Sequence, residues 1–288
     1  MMMTEPAQNT IIEQHINLDG VADLNDTNPL ELLVQASGLS KQKVKDAMTK
    51  GAVWLSHGKQ ARPLRRKNAR LRLGEELHLY YNEQVLSETV AKPELIADEG
   101  DYSVWNKPYG VWSQGSRWGD HCSIGRLVEE HFDYNRQTYV VHRLDRAARG
   151  LIILAHNKEA AAALSAMFAK RTVEKHYLAW VQGQFPNESI TIEKPIDKKP
   201  AKSIATLKEY DADKDRSLLS VQILTGRKHQ IRIHLASQGF PIIGDRQHGQ
   251  ADDDSPNLQL IAYKLMFQCP ISGEQKEYCL KESQLQES

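Results

Sequence analysis

The chain has 288 residues, 40% hydrophobic and 26% charged, enough for one large core or for a small module joined to a domain of roughly 200 residues. No run of about 18 apolar residues occurs, which argues against a membrane span, and Met1 to Gln8 lacks the basic flank and apolar core of an export signal. Basic and acidic residues cancel at 37 each, but unevenly: between Ser40 and Gly74 eleven Lys or Arg face one acid, Asp46, so that window carries +10 and the remainder −10.

The three cysteines, Cys122, Cys269 and Cys279, form neither a CxxC pair nor an even disulfide framework. They fit a reducing cytoplasm and not a structural zinc. A compact basic window in a neutral chain is an electrostatic footprint suited to a phosphate backbone, and the competing reading is an incidental solvated face.

Residues before about Asn28 are polar and lack sustained periodicity apart from a strand-like stretch at Ile11 to Ile16, and residues 1–28 read as an arm. Leu33, Val34 and Leu39 suggest a first helix ending near Gly38. Ser40 is placed to cap a second, carrying Val44, Ala47 and Met48 at helical spacing and stopped by Gly51. Ala52 to Leu55 reads as a short strand, Ser56 to Lys59 as a turn, and Leu71 to Tyr81 as strand around Gly74-Glu75. These elements make a compact module over 29–82, and Glu83 to Glu94, of mixed polarity with Pro93, reads as a linker.

The texture then changes. Tyr102 to Trp105 is strand-like and runs into the turn Asn106-Lys107-Pro108-Tyr109-Gly110-Val111, where Pro108 and Gly110 set restricted and permissive backbone side by side. Thr138 to Val141 and Leu151 to Leu154 read as strands flanking a loop, Asn157 opens a helix through Phe168, and Tyr177 to Val181 and Leu219 to Ile223 are further strands. The run Lys228 to Ala236 alternates like a strand. A Thr225 cap, the Ile231/Leu235 spacing and Gly239 followed by Pro241 favour a helix, which is the expectation adopted. Leu258 to Phe267 returns to the core, and 282–288 reads as a tail.

The most informative segment is the loop between the two strands, His142-Arg143-Leu144-Asp145-Arg146-Ala147-Ala148-Arg149-Gly150, which sets one carboxylate among four basic side chains. Such an acid suits a nucleophile or the centre of a salt-bridge network, and function tends to reside on scaffolded loops. No HExxH is present, and His229 with His234 has i,i+5 spacing, awkward for one helix face, so His142, His229 and His234 read as hydrogen-bonding supports rather than metal ligands. No GxSxG elbow is present either.

His142-Arg143-Leu144-Asp145 with Gly150, Lys175-x-Tyr177-x-Ala179, Gly226-Arg227-x-His229-Gln230-Ile231-Arg232-x-His234 and Pro241-Ile242-x-Gly244-Asp245, in that order, resemble the RluA-type pseudouridine synthases over roughly Leu95 to Pro270. The Asn106-Lys107-Pro108 turn also matches. The amino-terminal module is similar, more loosely, to S4-type RNA-binding domains.

The resemblance implies an α+β fold, with a mixed, largely antiparallel sheet in a catalytic domain over 95–281, behind a small S4-like α/β module. The implied activity is isomerisation of uridine to pseudouridine in a structured ribosomal or transfer RNA, with no organic cofactor, no metal, no membrane and no obligate protein partner. Asp145 falls on the catalytic aspartate, and attack on the ribose, addition to the base and removal of a 2′ proton all stay open. Arg143 matches the arginine that enters the RNA stack as the target base leaves, Tyr177 the active-site aromatic, and Arg232 the arginine paired with the aspartate. Lys41, Lys43, Lys45, Arg62, Arg65, Arg66, Lys67, Arg149 and Arg227 are the expected RNA contacts.

The chain departs from the family pattern at Ala147-Ala148-Arg149, at Ile261 and at His248-Gly249, departures that bear on substrate fit and loop packing. The altered Ala147-Ala148-Arg149 loop leaves room for a protein that binds or chaperones RNA without catalysis.

Overall fold

The computed structural model describes residues 9–21, 24 and 27–285, so the first eight residues of the expected arm and residues 286–288 of the expected tail lie outside the described residues. The chain divides into two compact units, residues 1–89 with 114–126, and residues 90–113 with 127–288.

The first unit comprises β1 (Ile11–Asn17), α1 (Pro29–Ser37), α2 (Lys41–Thr49), β2 (Val53–His57), β3 (Gln60–Pro63), β4 (Glu75–Asn82) and α3 (Glu83–Ser87). Local chemistry sets the helix ends. Asn28 accepts from the Leu30 amide with Pro29 at the first helical position, Gly38 closes α1 at φ 69°, and Ser40 accepts from the Lys43 amide to open α2. The strands form an antiparallel sheet in the order β1-β4-β2-β3. Alternation gives it a buried face of Val53, Leu55, Leu77 and Leu79, which meets Leu30, Leu33, Val44, Ala47 and Met48 of the helices in one core. The opposite face carries Trp54, Ser56, Glu76, His78 and Tyr80, with Glu13 and His15 of β1 paired alongside.

Several boundaries differ from the sequence reading. The stretch read as part of an arm contains β1, whose seven residues pair along β4. β2 continues through Ser56 and His57, and the turn narrows to Gly58-Lys59, because β3 pairs back as far as His57↔Gln60. The strand expected from Leu71 starts only at Glu75, after Gly74 at φ 76°. The expected linker opens with α3, capped by the Asn82 side chain.

The second unit is built on β5 (Glu94–Asp98), β6 (Tyr102–Lys107), β7 (Tyr139–Val140), β8 (Arg149–Ala155), α5 (Lys158–Lys170), β9 (Glu174–Gln182), β10 (Ile190–Ile192), β11 (Ser203–Asp211), β12 (Arg216–Ile223), α6 (Gln230–Ser237), β13 (Leu260–Gln268), β14 (Gln275–Cys279) and α7 (Glu282–Leu285). A further helix, α4 (Ile124–His131), crosses the residue-126 boundary in sequence. The sheet runs β10-β11-β12-β9-β13-β8-β6-β5, with β14 on β13 and β7 on β8. Among the described residues every strand pairing is antiparallel except β13 with β8, where Ile261 faces Arg149 and Ala262 faces Gly150. The fold is therefore α+β with a largely antiparallel sheet, as the resemblance implied.

Gly150 makes that seam possible: at φ 114° a side chain would collide with the Ala262 backbone. One face of the sheet closes on α5 through Val104, Leu151, Ile153, Leu164, Met167, Leu265 and Phe267. The helix expected from a Thr225 cap starts later. His229 at φ 54° is its N-cap residue without a side-chain cap bond, while the Thr225 hydroxyl donates to Gln230 Oε1 at 2.6 Å. Residues 225–229 are thus a turn stitched to the helix rather than its first turn.

Candidate active site

Asp145 lies on the loop between β7 and β8, its side chain one-quarter exposed. The turn after β6 clamps this loop on both sides of it. The Ser113 hydroxyl donates to the Leu144 carbonyl at 2.6 Å and accepts from the Leu144 amide at 3.0 Å. The Gly110 amide donates to the Arg146 carbonyl at 2.9 Å, and Arg146 Nε donates to the Gly110 carbonyl at 3.2 Å. Lys107, fully buried, donates from Nζ to the carbonyls of Val111 at 2.9 Å, Pro108 at 3.1 Å and Arg146 at 3.5 Å. Burial pushes its ammonium down to about 7, and the negative charge of Asp145 works against that push. The turn from Lys107 to Ser113 is thus the bracket that fixes the backbone on both sides of Asp145.

On its other side Asp145 meets residues from α6 and the segment after it. Arg232 Nη1 stands 3.5 Å from Asp145 Oδ2, and His229 Nε2 is 3.9 Å from Oδ1. Arg232 has a closer partner: Nε and Nη2 bind the two oxygens of Asp245 at 2.8 and 2.6 Å, and Nη2 also donates to Gln247 Oε1 at 3.2 Å. Burial works to raise the Asp245 carboxyl, but Arg232 and the amides of Gln247 and His248 outweigh it and hold the group below its ordinary value. The preceding Gly244, at φ 79°, packs where a side chain would strike the Asn257 backbone.

Tyr177 on β9 is buried, and no described residue hydrogen-bonds its hydroxyl. Burial first, and then the Asp145 charge, push the phenol far above its ordinary value, so it stays a proton donor. His229 holds a left-handed backbone, a sparsely populated conformation for a non-glycine residue, and its Nδ1 pairs with His248 Nε2 at 2.9 Å. Burial lowers its pKa, favouring the neutral ring beside Asp145.

The other two histidines support the backbone. His142 Nε2 accepts from the Ile153 amide at 2.9 Å and its ring stacks on Phe168 at 4.1 Å. His234 spans Ser203 Oγ and the Lys194 carbonyl, each at 2.9 Å.

The structure thus brings Asp145, Tyr177 and Arg232 together from three separate segments. Arg143, two residues before Asp145 in the chain, is exposed and forms no ion pair with any described residue. Arg149 turns elsewhere: its Nη2 and Nη1 donate to the carbonyls of Leu285 at 2.6 Å and Gln284 at 3.3 Å, tying down α7. Arg227 donates to the Pro200 carbonyl at 3.0 Å and orders its own loop.

In the first unit, Lys41 pairs with Glu31 at 2.7 Å, Lys43 with Glu83 at 2.9 Å, and Arg65 with Asp120 and the Thr49 carbonyl. Lys45, Arg62, Arg66 and Lys67 are exposed and form no ion pair with any described residue. The residues that sequence reasoning leaves without a role are Lys107, Ser113 and Asp245. Two of them lie in the motifs that carry the resemblance, and the signal for the third, a serine six residues past a lysine, carries no spacing rule.

A family model described as RNA pseudouridylate synthase matches residues 101–237. The dual-specificity RNA pseudouridine synthase RluA of Vibrio parahaemolyticus is 31% identical over 201 residues, 62% of this chain and 79% of that one. An uncharacterized RNA pseudouridine synthase of Aquifex aeolicus is 30% identical over 270 residues, 82% of this chain and 83% of that one. Among solved structures, human RNA Pseudouridylate Synthase Domain Containing 1 shares the fold with a TM-score of 0.58 at 23% identity, covering 68% of this chain and 86% of that one.

Proposed function

Because the chain belongs to the RNA pseudouridine synthase family, we propose that it isomerises specific uridines in a structured ribosomal or transfer RNA, with Asp145 as the nucleophile. The observation that carries this reading is the fixing of Asp145. A clamp on Leu144 and Arg146 sets its backbone, and Arg232, itself anchored on Asp245, faces its carboxylate.

The reaction breaks the N1 to C1′ bond, turns the uracil and rejoins it through C5, which then loses its proton while N1 takes one up. It needs an anion at the nucleotide, a surface to hold the freed base and a nucleotide taken out of its stack. Asp145 supplies the anion. Arg232, itself held by Asp245, orients it by charge without entering the chemistry. Tyr177 offers a ring to the base and a hydroxyl with no partner among the described residues. Arg143, planar, always charged and exposed, suits the gap left by the extruded nucleotide.

The first unit is proposed as an S4-like RNA-binding module. Exposed Lys45, Arg62, Arg66 and Lys67 are its best-placed phosphate contacts, whereas Arg65, Arg149 and Arg227 order the protein itself. A cytoplasmic location accords with the three free cysteines.

The test is Asp145→Asn assayed in single turnover on RNA carrying the target uridine. That RNA is identified by comparing pseudouridine maps of cells with and without the gene. Turnover is expected to vanish while RNA affinity stays within a few fold; pseudouridine formed at more than a trace rate would remove Asp145 as nucleophile. Retained affinity in a wild-type protein that modifies no RNA would favour the non-catalytic binder.

A further inference from the structure

We propose that the face of the first unit's sheet opposite its helices holds a divalent transition-metal ion such as zinc between His15, His78 and Glu76. His15 and His78 stand directly opposite each other on β1 and β4, and their Nδ1 atoms approach to 2.7 Å. Glu76 precedes His78 by two residues and so projects from the same face. One ligand atom from each of the three lies within 4.8 Å of the others; Glu76 Oε2 stands 4.0 Å from His78 Nε2, and a side-chain rotation of Glu76 brings it to the Nδ1 pair.

The outward nitrogens of both rings are tied down. His15 Nε2 lies 3.2 Å from Glu13 Oε1, and His78 Nε2 lies 2.7 Å from Ser56 Oγ. A carboxylate on the far nitrogen of one imidazole and a hydroxyl on that of the other are the outer supports that orient metal-binding histidines and set their tautomers.

At 2.7 Å the two Nδ1 atoms are within hydrogen-bond distance, and the ion would take the place of that bond. Zinc–nitrogen bonds of about 2.0–2.1 Å at tetrahedral angles set two nitrogens roughly 3.3 Å apart, so the rings must part by roughly 0.6 Å. His15, exposed on an edge strand, and Glu76, half exposed, can make that adjustment. Two imidazoles and one carboxylate favour zinc, nickel or copper over magnesium or calcium.

The ion would staple β1, an edge strand held in the sheet by β4 alone, to the rest of the unit. The site belongs to the first unit, and the proposed chemistry at Asp145 does not use it.

The test strips the full-length protein with chelator, then titrates zinc sulfate against a chromophoric competitor and cobalt sulfate by visible absorption. Expected are one zinc per chain at micromolar concentration, a tetrahedral cobalt band, and slower hydrogen exchange of the β1 amides when zinc is present. His15→Gln, on an exposed edge position that leaves the core untouched, should weaken binding by at least about tenfold. His78→Gln should do the same. Cys279→Ser, removing an exposed thiol that could bind zinc by itself, should change nothing. No uptake, uptake unchanged by His15→Gln, or uptake abolished by Cys279→Ser would each overturn the proposal.

Discussion

Arg232 is held by Asp245 through two hydrogen bonds, 2.6 and 2.8 Å, and only its remaining nitrogen reaches toward Asp145, at 3.5 Å. The two aspartates that share this guanidinium should therefore respond differently to the same substitution. Asp145→Asn alters a part-exposed group and should leave the melting temperature close to wild type. Asp245→Asn removes the charge partner of an arginine that is itself buried, and breaking such a pair costs about 3–5 kcal/mol. Paired urea unfolding curves check this, and equal losses in the two variants would contradict it.

Lys107→Met should uncouple the clamp from the catalytic loop. The methionine fills the space but gives up three carbonyl partners; the Arg146 carbonyl keeps the Gly110 amide, and the Pro108 and Val111 acceptors lose their lysine donor at a cost of about 1–3 kcal/mol each. Single-turnover rate is expected to fall by about tenfold or more, while RNA affinity is retained. Ser113→Ala should act in the same direction and more weakly. A Lys107→Met enzyme with wild-type rate would mean that the Arg146 carbonyl needs no anchor beyond the Gly110 amide.

Acid should destabilise the second unit through His142. Burial lowers this ring to about 3 from an ordinary value of 6.5. Between those pH values the unfolded chain binds a proton that the folded chain refuses, so stability falls as pH drops through the window, by up to about 1.4 kcal/mol per pH unit. His142→Gln keeps an acceptor for the Ile153 amide but does not titrate. Unfolding free energies at pH 7, 6 and 5 should fall less steeply for the variant, and parallel slopes would refute the assignment.

The basic surface of the first unit can be tested by substitution rather than truncation. Residues 114–126 belong to that unit, with Asp120 bound to Arg65, so deleting residues 1–85 would strip them of their partners. Changing Lys45, Arg62, Arg66 and Lys67 to Gln should flatten log affinity against log salt by roughly 0.7–0.9 for each phosphate that is no longer neutralised. Single-turnover rate at saturating RNA should change much less. An unchanged slope would assign RNA recognition to the second unit.

Helices with side-chain caps are legible in the sequence: α1, α2 and α5 begin at Asn28, Ser40 and Asn157 as local chemistry requires. Strands with clean alternation, β9 and β12, are legible as well. Less legible are elements whose reason is non-local. β1 is short and polar on one face, and only its pairing with β4 reveals it. β11 alternates along part of its length, but Lys208-Glu209 and a register shift there break the pattern.

The start of α6 differs from the sequence reading because a threonine before a glycine is an ordinary cap signal, whereas here the side chain is used by Gln230. At the site, Asp145 stands out by its neighbours in the chain. The bond from Arg232 to Asp245 does not, because thirteen residues and a turn separate them and no periodicity links the two.

The one parallel pairing among the described residues, β8 with β13, divides the large sheet into two antiparallel halves. Asp145 and its clamp belong to the half that contains β6 and β8; Tyr177, Arg232 and Asp245 belong to the other. Completing the site therefore requires residues as far apart in the chain as Gly150 and Ala262 to meet, and such pairings are among the slowest to form as a chain collapses. A nascent or partly folded protein that already presents basic surface still has no reactive centre. Recovery of pseudouridine-forming activity during refolding should lag behind recovery of helix signal, and the lag times the closing of that seam.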